Sequence, residues 1–190
     1  MAPQDPPPAD TPDPARIAAR RFAAGALMLV GIAAFATFWA WALFFASKEA
    51  VNKIDDVAWA ARAEQICIEA DAARLELVDL RPITEAVPEL VLERADIVDR
   101  ATDILDRMVD DIVAVAPADP KGRAIVPAWE ADYRTYLQDR RNYTATLRAA
   151  GENSAFYESQ VDGIPISERI ATFAGDNEMA ACAPPFDLTR

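Results

Sequence analysis

Hydrophobic and polar positions divide the chain into three stretches. From Phe22 to Ala46 no residue is charged, and Thr37 carries the only hydroxyl. A helix of that length rises about 37 Å, against about 30 Å of bilayer hydrocarbon. The pattern therefore predicts a tilted membrane-crossing helix whose backbone groups are satisfied internally. Before it, residues 1–14 hold six prolines and three aspartates. That stretch has no apolar face to bury, which predicts a disordered, polyproline-like tail extending to residue 21. Residues 47–190 are acidic and patterned as helices, and about 140 residues suffice for one small domain.

Within that domain, Ile54, Ala58, Ala61, Gln65, Ile68, Ala72 and Leu75 recur at spacings of three and four. This stripe predicts a helix from Lys48 to about Leu80, ended by Arg81-Pro82 and with Cys67 beside the stripe. No breaker separates it from the apolar span, so one helix is expected to run from the bilayer into the domain. Pro88 suits the first turn of the next helix. Its apolar stripe is Val91, Ala95, Val98, Thr102, Leu105, Val109 and Ile112, widened by Ile97, Ile104 and Met108. Asp99, Asp103, Asp106 and Asp110 form its other face, read as solvated. Helical acids diverge, whereas a calcium loop converges its ligands from a turn with glycine, so no metal site is expected.

Pro117, Pro120 and Gly122 predict a turn, and Pro127 a third helix closed by Gly151. Trp129, Tyr133, Tyr136 and Arg140 share one row of it. A row of this kind is either core or interface, and a buried Arg140 would need an acidic partner. Asn142-Tyr143-Thr144 matches a glycosylation sequon in that same helix. Residues 151–166 read as a loop pinned by Phe156, Tyr157 and Ile164, after which Ser167 caps a short helix carrying Ile170, Phe173 and Ala174. The expected fold class is all-α. A single N-terminal transmembrane helix is followed by an extracytoplasmic antiparallel bundle of three long helices plus a short C-terminal helix.

Charge sets the direction of insertion. Arg16, Arg20 and Arg21 flank one end of the span, and Lys48 and Lys53 lie among acids beyond the other. Basic residues favour the cytoplasmic side, so the N-terminus is expected inside and the domain outside. Trp39, Trp41, Phe44 and Phe45 gather where an aromatic belt would meet the outer headgroups. The span is longer than a signal peptide's apolar region, which favours an uncleaved anchor despite an Ala40-x-Ala42 site. Arg20-Arg21-Phe22 lacks the flanking residues of a twin-arginine signal. Gly25 and Gly31 permit close packing, so a homodimer through the span is compatible with the sequence, although no GxxxG is present. Two cysteines, Cys67 and Cys182, lie beyond the span. An even count on an oxidising side suggests a disulfide, with two buried thiols as the alternative.

The formal charge of −12 argues against nucleic acid as a partner of the domain. The chain has no histidine, removing the commonest general base and metal ligand. No nucleophile elbow or phosphate loop is present, so neither catalysis nor a cofactor is expected. The terminal run Asn177-x-Met179-x-x-Cys182-x-Pro184-Pro185-x-Asp187-Leu188 resembles uncharacterised actinobacterial single-pass membrane proteins with an extracytoplasmic helical domain. In those proteins a partner cysteine lies in the first helix after the anchor, as Cys67 does here. The resemblance covers about residues 20–190 and implies a location and a disulfide, not an activity. Two functional expectations follow. The first is an accessory protein whose domain docks on a larger membrane or envelope assembly. The second is a ligand-binding sensor module acting through a membrane partner.

Overall fold

The computed structural model describes residues 14–46, 49–78 and 88–188. The expected tail over residues 1–13, Lys48 and the Arg81-Pro82 stop lie outside them. The described residues are mostly helical and fall into two compact units that divide after Glu49. The first unit is a single helix, α1 (Pro14–Phe44). Its stretch from Arg20 to Phe44 is long and apolar enough to cross a membrane. α1 begins well before the apolar run. Pro14 has its φ preset for a first turn, and Ala15, Ala18, Ala19, Arg20 and Arg21 are strong helix formers.

The second unit contains α2 (Val57–Leu75), α3 (Pro88–Val113), α4 (Pro120–Ala150) and α5 (Ile166–Asp176). A two-residue hairpin, β1 (Gln160–Val161) and β2 (Ile164–Pro165), precedes α5, and a 3-10 turn over Ala180–Cys182 follows it. The expected continuous helix from the span into the domain does not form, because α1 ends at Phe44 and α2 begins only at Val57. Residues 52–56 are held in non-helical conformation by partners far along the chain. Asn177, buried after α5, accepts from the Ile54 amide at 2.8 Å and donates to the Asn52 carbonyl at 3.0 Å. Asp56 then caps α2 through the Trp59 amide at 2.9 Å and also accepts from the Ala118 amide at 2.8 Å. Asp119 caps α4 through Gly122 and accepts from the Asp56 amide at 3.3 Å. The two helix starts thus share a reciprocal clasp. The amides of Ala118 and Trp59 hold the Asp56 carboxyl below its ordinary pKa.

The α2 stripe also differs from expectation. The buried face is Trp59, Ala60, Ala63 and Cys67, while Ala58, Ala61, Gln65, Ile68, Ala72 and Leu75 stand exposed. Ile54 is buried, but in the segment before the helix. α3 buries its expected stripe. α4 starts at Pro120 rather than Pro127, because Asp119 supplies the cap and Pro120 needs no amide partner in a first turn. Pro127 sits inside α4 on its exposed side, where solvent reaches the carbonyl one turn back. Gly122 packs so closely on Pro117 that a β-carbon there would lie 2.7 Å from the proline ring.

Gly151 ends α4 with φ +67°, as the sequence predicts. In the following segment, Phe156 packs on the core, but Tyr157 and Ile164 are exposed. The loop is pinned instead by carboxylates. Asp139 accepts from the Ser159 amide and hydroxyl, and Glu158 does the same for Ser167. Glu158 therefore satisfies the first turn of α5, and Ser167 is a donor there rather than its cap. Asp162 and Gly163, both with positive φ, close the hairpin.

Cys67 on α2 is bonded to Cys182 in the 3-10 turn, closing a sequence separation of 115 residues. Closing so long a loop stabilises the folded chain by about 4–5 kcal/mol in the chain-entropy model. Cys182→Ser is expected to lower the free energy of urea unfolding by several kcal/mol. Mass spectrometry without reductant is expected to show the Cys67–Cys182 peptide pair, and two free thiols would contradict the structure.

Candidate functional site

The sequence row on α4 is core. Trp129, Tyr133, Tyr136 and Arg140 are exposed by no more than 2%. Their spacing of three or four residues puts them on one helix face, and neighbouring elements close over it. Phe173 of α5 stacks on Trp129 at 5.6 Å between ring centroids, and Trp129 meets Tyr133 edge-on at 5.4 Å. Tyr136 meets Phe156 edge-on at 6.2 Å, and Phe156 meets Tyr143 at 5.8 Å. The rings form one continuous aromatic seam between α4, α5 and the loop.

Arg140 ends that seam as the largest fully buried side chain among the described residues. Its guanidinium lies between three elements. Nε donates to Thr102 Oγ1 of α3 at 3.0 Å, and the two terminal nitrogens grip Asp187 at 2.7 and 3.1 Å. Tyr136 places its hydroxyl 3.4 Å from the guanidinium and donates to the Pro185 carbonyl at 3.0 Å. Arg74 at the end of α2 approaches the same carboxylate at 3.5 Å. Burial works against the Arg140 charge, but the bonds and charge of Asp187 outweigh it, so its proton is held more tightly than usual. The fork geometry matches a carboxylate, so this contact fixes both position and orientation.

A second ionic system lies along α3 and α4. Arg134 binds Asp106 and Asp110, each at 2.6 Å. Arg141 binds Asp103 at 3.0 Å and Asp106 at 2.9 Å, and Arg148 binds Asp96 and Asp99, each at 2.7 Å. Partner numbers fall on α3 as they rise on α4, so the two helices run in opposite directions. The aspartates expected to form a solvated face instead form the α3 side of this ladder. The signal was available in the sequence, since Arg134, Arg141 and Arg148 recur every seven residues, as do Asp96, Asp103 and Asp110.

The other anticipated residues are placed as follows. Cys67 and Cys182 are joined, and Arg20, Arg21, Trp39 and Trp41 are exposed on α1. The sequon lies within α4, where Thr144 is buried and its hydroxyl is committed to Asp99 at 2.7 Å. Among the described residues, no group of three His, Cys, Asp or Glu side chains is arranged to hold a metal ion. Asp187 and Asn177, which organise the C-terminal segment, stood out in the sequence only as members of the terminal run. No protein-family model, curated protein or solved structure matches the chain.

Chemically, the cluster is suited to holding shape. Asp187→Asn leaves Arg140 as a buried charge without its counter-ion. It is expected to destabilise the fold by about 2–4 kcal/mol in urea titration, whereas Arg134→Ala on the half-exposed ladder should cost about 1 kcal/mol or less. The buried hydroxyl of Tyr133 has no hydrogen-bond partner, and burial raises its pKa. Tyr133→Phe is therefore expected to leave stability unchanged or slightly higher, while Tyr136→Phe loses about 1 kcal/mol with its two bonds. Equal losses in the two tyrosine variants would contradict this assignment.

Proposed function

We propose that the protein is a membrane-anchored accessory protein that performs no catalysis. In this reading residues 22–46 cross the bilayer, the N-terminus is cytoplasmic, and residues 47–190 form an extracytoplasmic antiparallel helical bundle. That bundle docks on a larger membrane or envelope assembly, and the anchor keeps it at high local concentration. Support for the location comes from the apolar helix, from Arg20 and Arg21 at one end of it, and from Trp39 and Trp41 at the other. The disulfide adds to it, because such bonds persist on oxidising sides of membranes.

The observation that carries the non-catalytic part is the fate of Arg140. The domain's buried cation is neutralised by the chain's own C-terminal segment. The aromatic row that would have served a sensor as a ligand platform is filled by Phe173 and Phe156. Arg134, Arg141 and Arg148 are bound into the ladder, and Arg123 donates to the Pro117 and Ala118 carbonyls. Arg140 and the aromatic row are thus committed to the architecture.

The test is capture at native expression through a C-terminal tag, after extraction in mild detergent. A stoichiometric membrane or envelope protein is expected to co-purify. On intact cells, the tag should be cleaved by added protease and the N-terminus should not. Recovery of the chain without any other protein would overturn the docking reading, and a protected tag would overturn the orientation.

A further inference from the structure

The counter-ion of Arg140 comes from the edge of the domain. Arg140 is sealed from solvent, whereas the Asp187 side chain that it grips keeps 27% of its surface exposed. Phe186 beside it is 77% exposed, and from Ala183 to Leu188 only Pro184 is buried. The chain before this stretch is fixed independently of it, by the disulfide at Cys182 and by the Asn177 bonds to residues 52 and 54. Residues 183–188 therefore form a short strap that starts at a covalent anchor. Arg140 and Arg74 hold it by Asp187, and Tyr136 holds it by the Pro185 carbonyl.

The niche under the strap carries more donors than Asp187 satisfies. The Tyr133 hydroxyl is fully buried without a hydrogen-bond partner, and it lies in the field of Arg140, Arg74 and Asp71. The Nε of Arg74 is buried without a partner as well. Buried polar groups are ordinarily bonded, so two such orphans near one buried cation point to an occupant richer in acceptors than a single aspartate.

We propose that this niche is a binding site for an organic carboxylate, which the strap fills with Asp187 in the resting chain and yields by exchange. Charge dictates the ligand class. A strap leaving with nothing in its place would strand Arg140 as a charge that the interior cannot solvate. A second carboxylate entering as Asp187 leaves keeps the pair intact, and the planar fork grips it in the same two-pronged geometry. A neutral molecule cannot make that exchange. The strap gives up little apolar contact in leaving, because Phe186 already stands in solvent, and the disulfide keeps α2 and α5 in place. Opening is therefore local to the end of the chain. The site stands independently of the docking reading above.

Electron paramagnetic resonance of the full chain in detergent, with a nitroxide on Phe186→Cys, reads release of the strap. Propionate is the probe, added at constant ionic strength. It competes with a tethered carboxylate, so it is expected to mobilise the label saturably at concentrations on the order of tens of millimolar. Propionamide, of the same shape without the charge, should leave the label fixed. Asp187→Ala removes the competitor. Propionate is expected to raise the melting temperature of that variant, with a half-effect at least about tenfold lower in concentration than in the native strap. A label unmoved by propionate, or moved equally by propionamide, overturns the exchange. A folded Asp187→Ala chain that propionate does not stabilise overturns the site, and if that variant does not fold, the label on the native strap decides.

Discussion

The cross-link between Cys67 and Cys182 is the constraint on which the domain's closure depends. α2 presents a narrow buried face of two alanines, one tryptophan and one cysteine, and alanines bury little apolar area. Packing alone would hold such a helix loosely. The C-terminal segment makes up the difference by fastening to both sides of α2. Asn177 grips the non-helical residues before the helix, Cys182 bonds to its middle, and Asp187 reaches Arg74 at its end. The same segment then crosses to α4 through Pro185 and Asp187. The last residues of the chain therefore hold together elements separated by more than a hundred positions.

The ionic interactions divide by burial, and that division decides which matter. The α3–α4 ladder is half-exposed, and pairs of that kind contribute tenths of a kcal/mol to about 1 kcal/mol each. Their value lies in register, since only one stagger of the two helices pairs all three arginines at once. Arg140 is different in kind. It is sealed from water, so removing its partner leaves a charge that the interior cannot solvate. Thr102, Tyr136 and Asp187 between them engage every nitrogen of the fork. Docking of the C-terminal segment therefore supplies the counter-ion of the buried Arg140.

These features are compatible with the accessory role proposed above. Arg140 and the aromatic row are absorbed into the core, while Ile68 and Leu75 on α2, Tyr157 before the hairpin, and Val161 and Ile164 within it are exposed.

Much of the architecture was legible from local pattern. The apolar run from Phe22, the α3 stripe opened by Pro88 and the stop at Gly151 each follow from chemistry within a few residues, because burial, proline and glycine act locally. The α2 face was misread for a physical reason: the helix has two apolar faces, and the more regular one is turned outward. Its start was misplaced because Asn177, far along the chain, pulls residues 52–54 out of helical geometry. The Arg140 partner was out of reach for the same cause, since many aspartates were equally plausible and only the folded path of the tail selects Asp187. By itself, the sequence determined a helical protein with one membrane-length apolar segment and a cysteine on either side of its core. The tertiary structure alone decided which helix faces are buried, which carboxylate answers Arg140, and that the aromatic row is core, because each depends on contacts between residues too distant in sequence for any local pattern to encode.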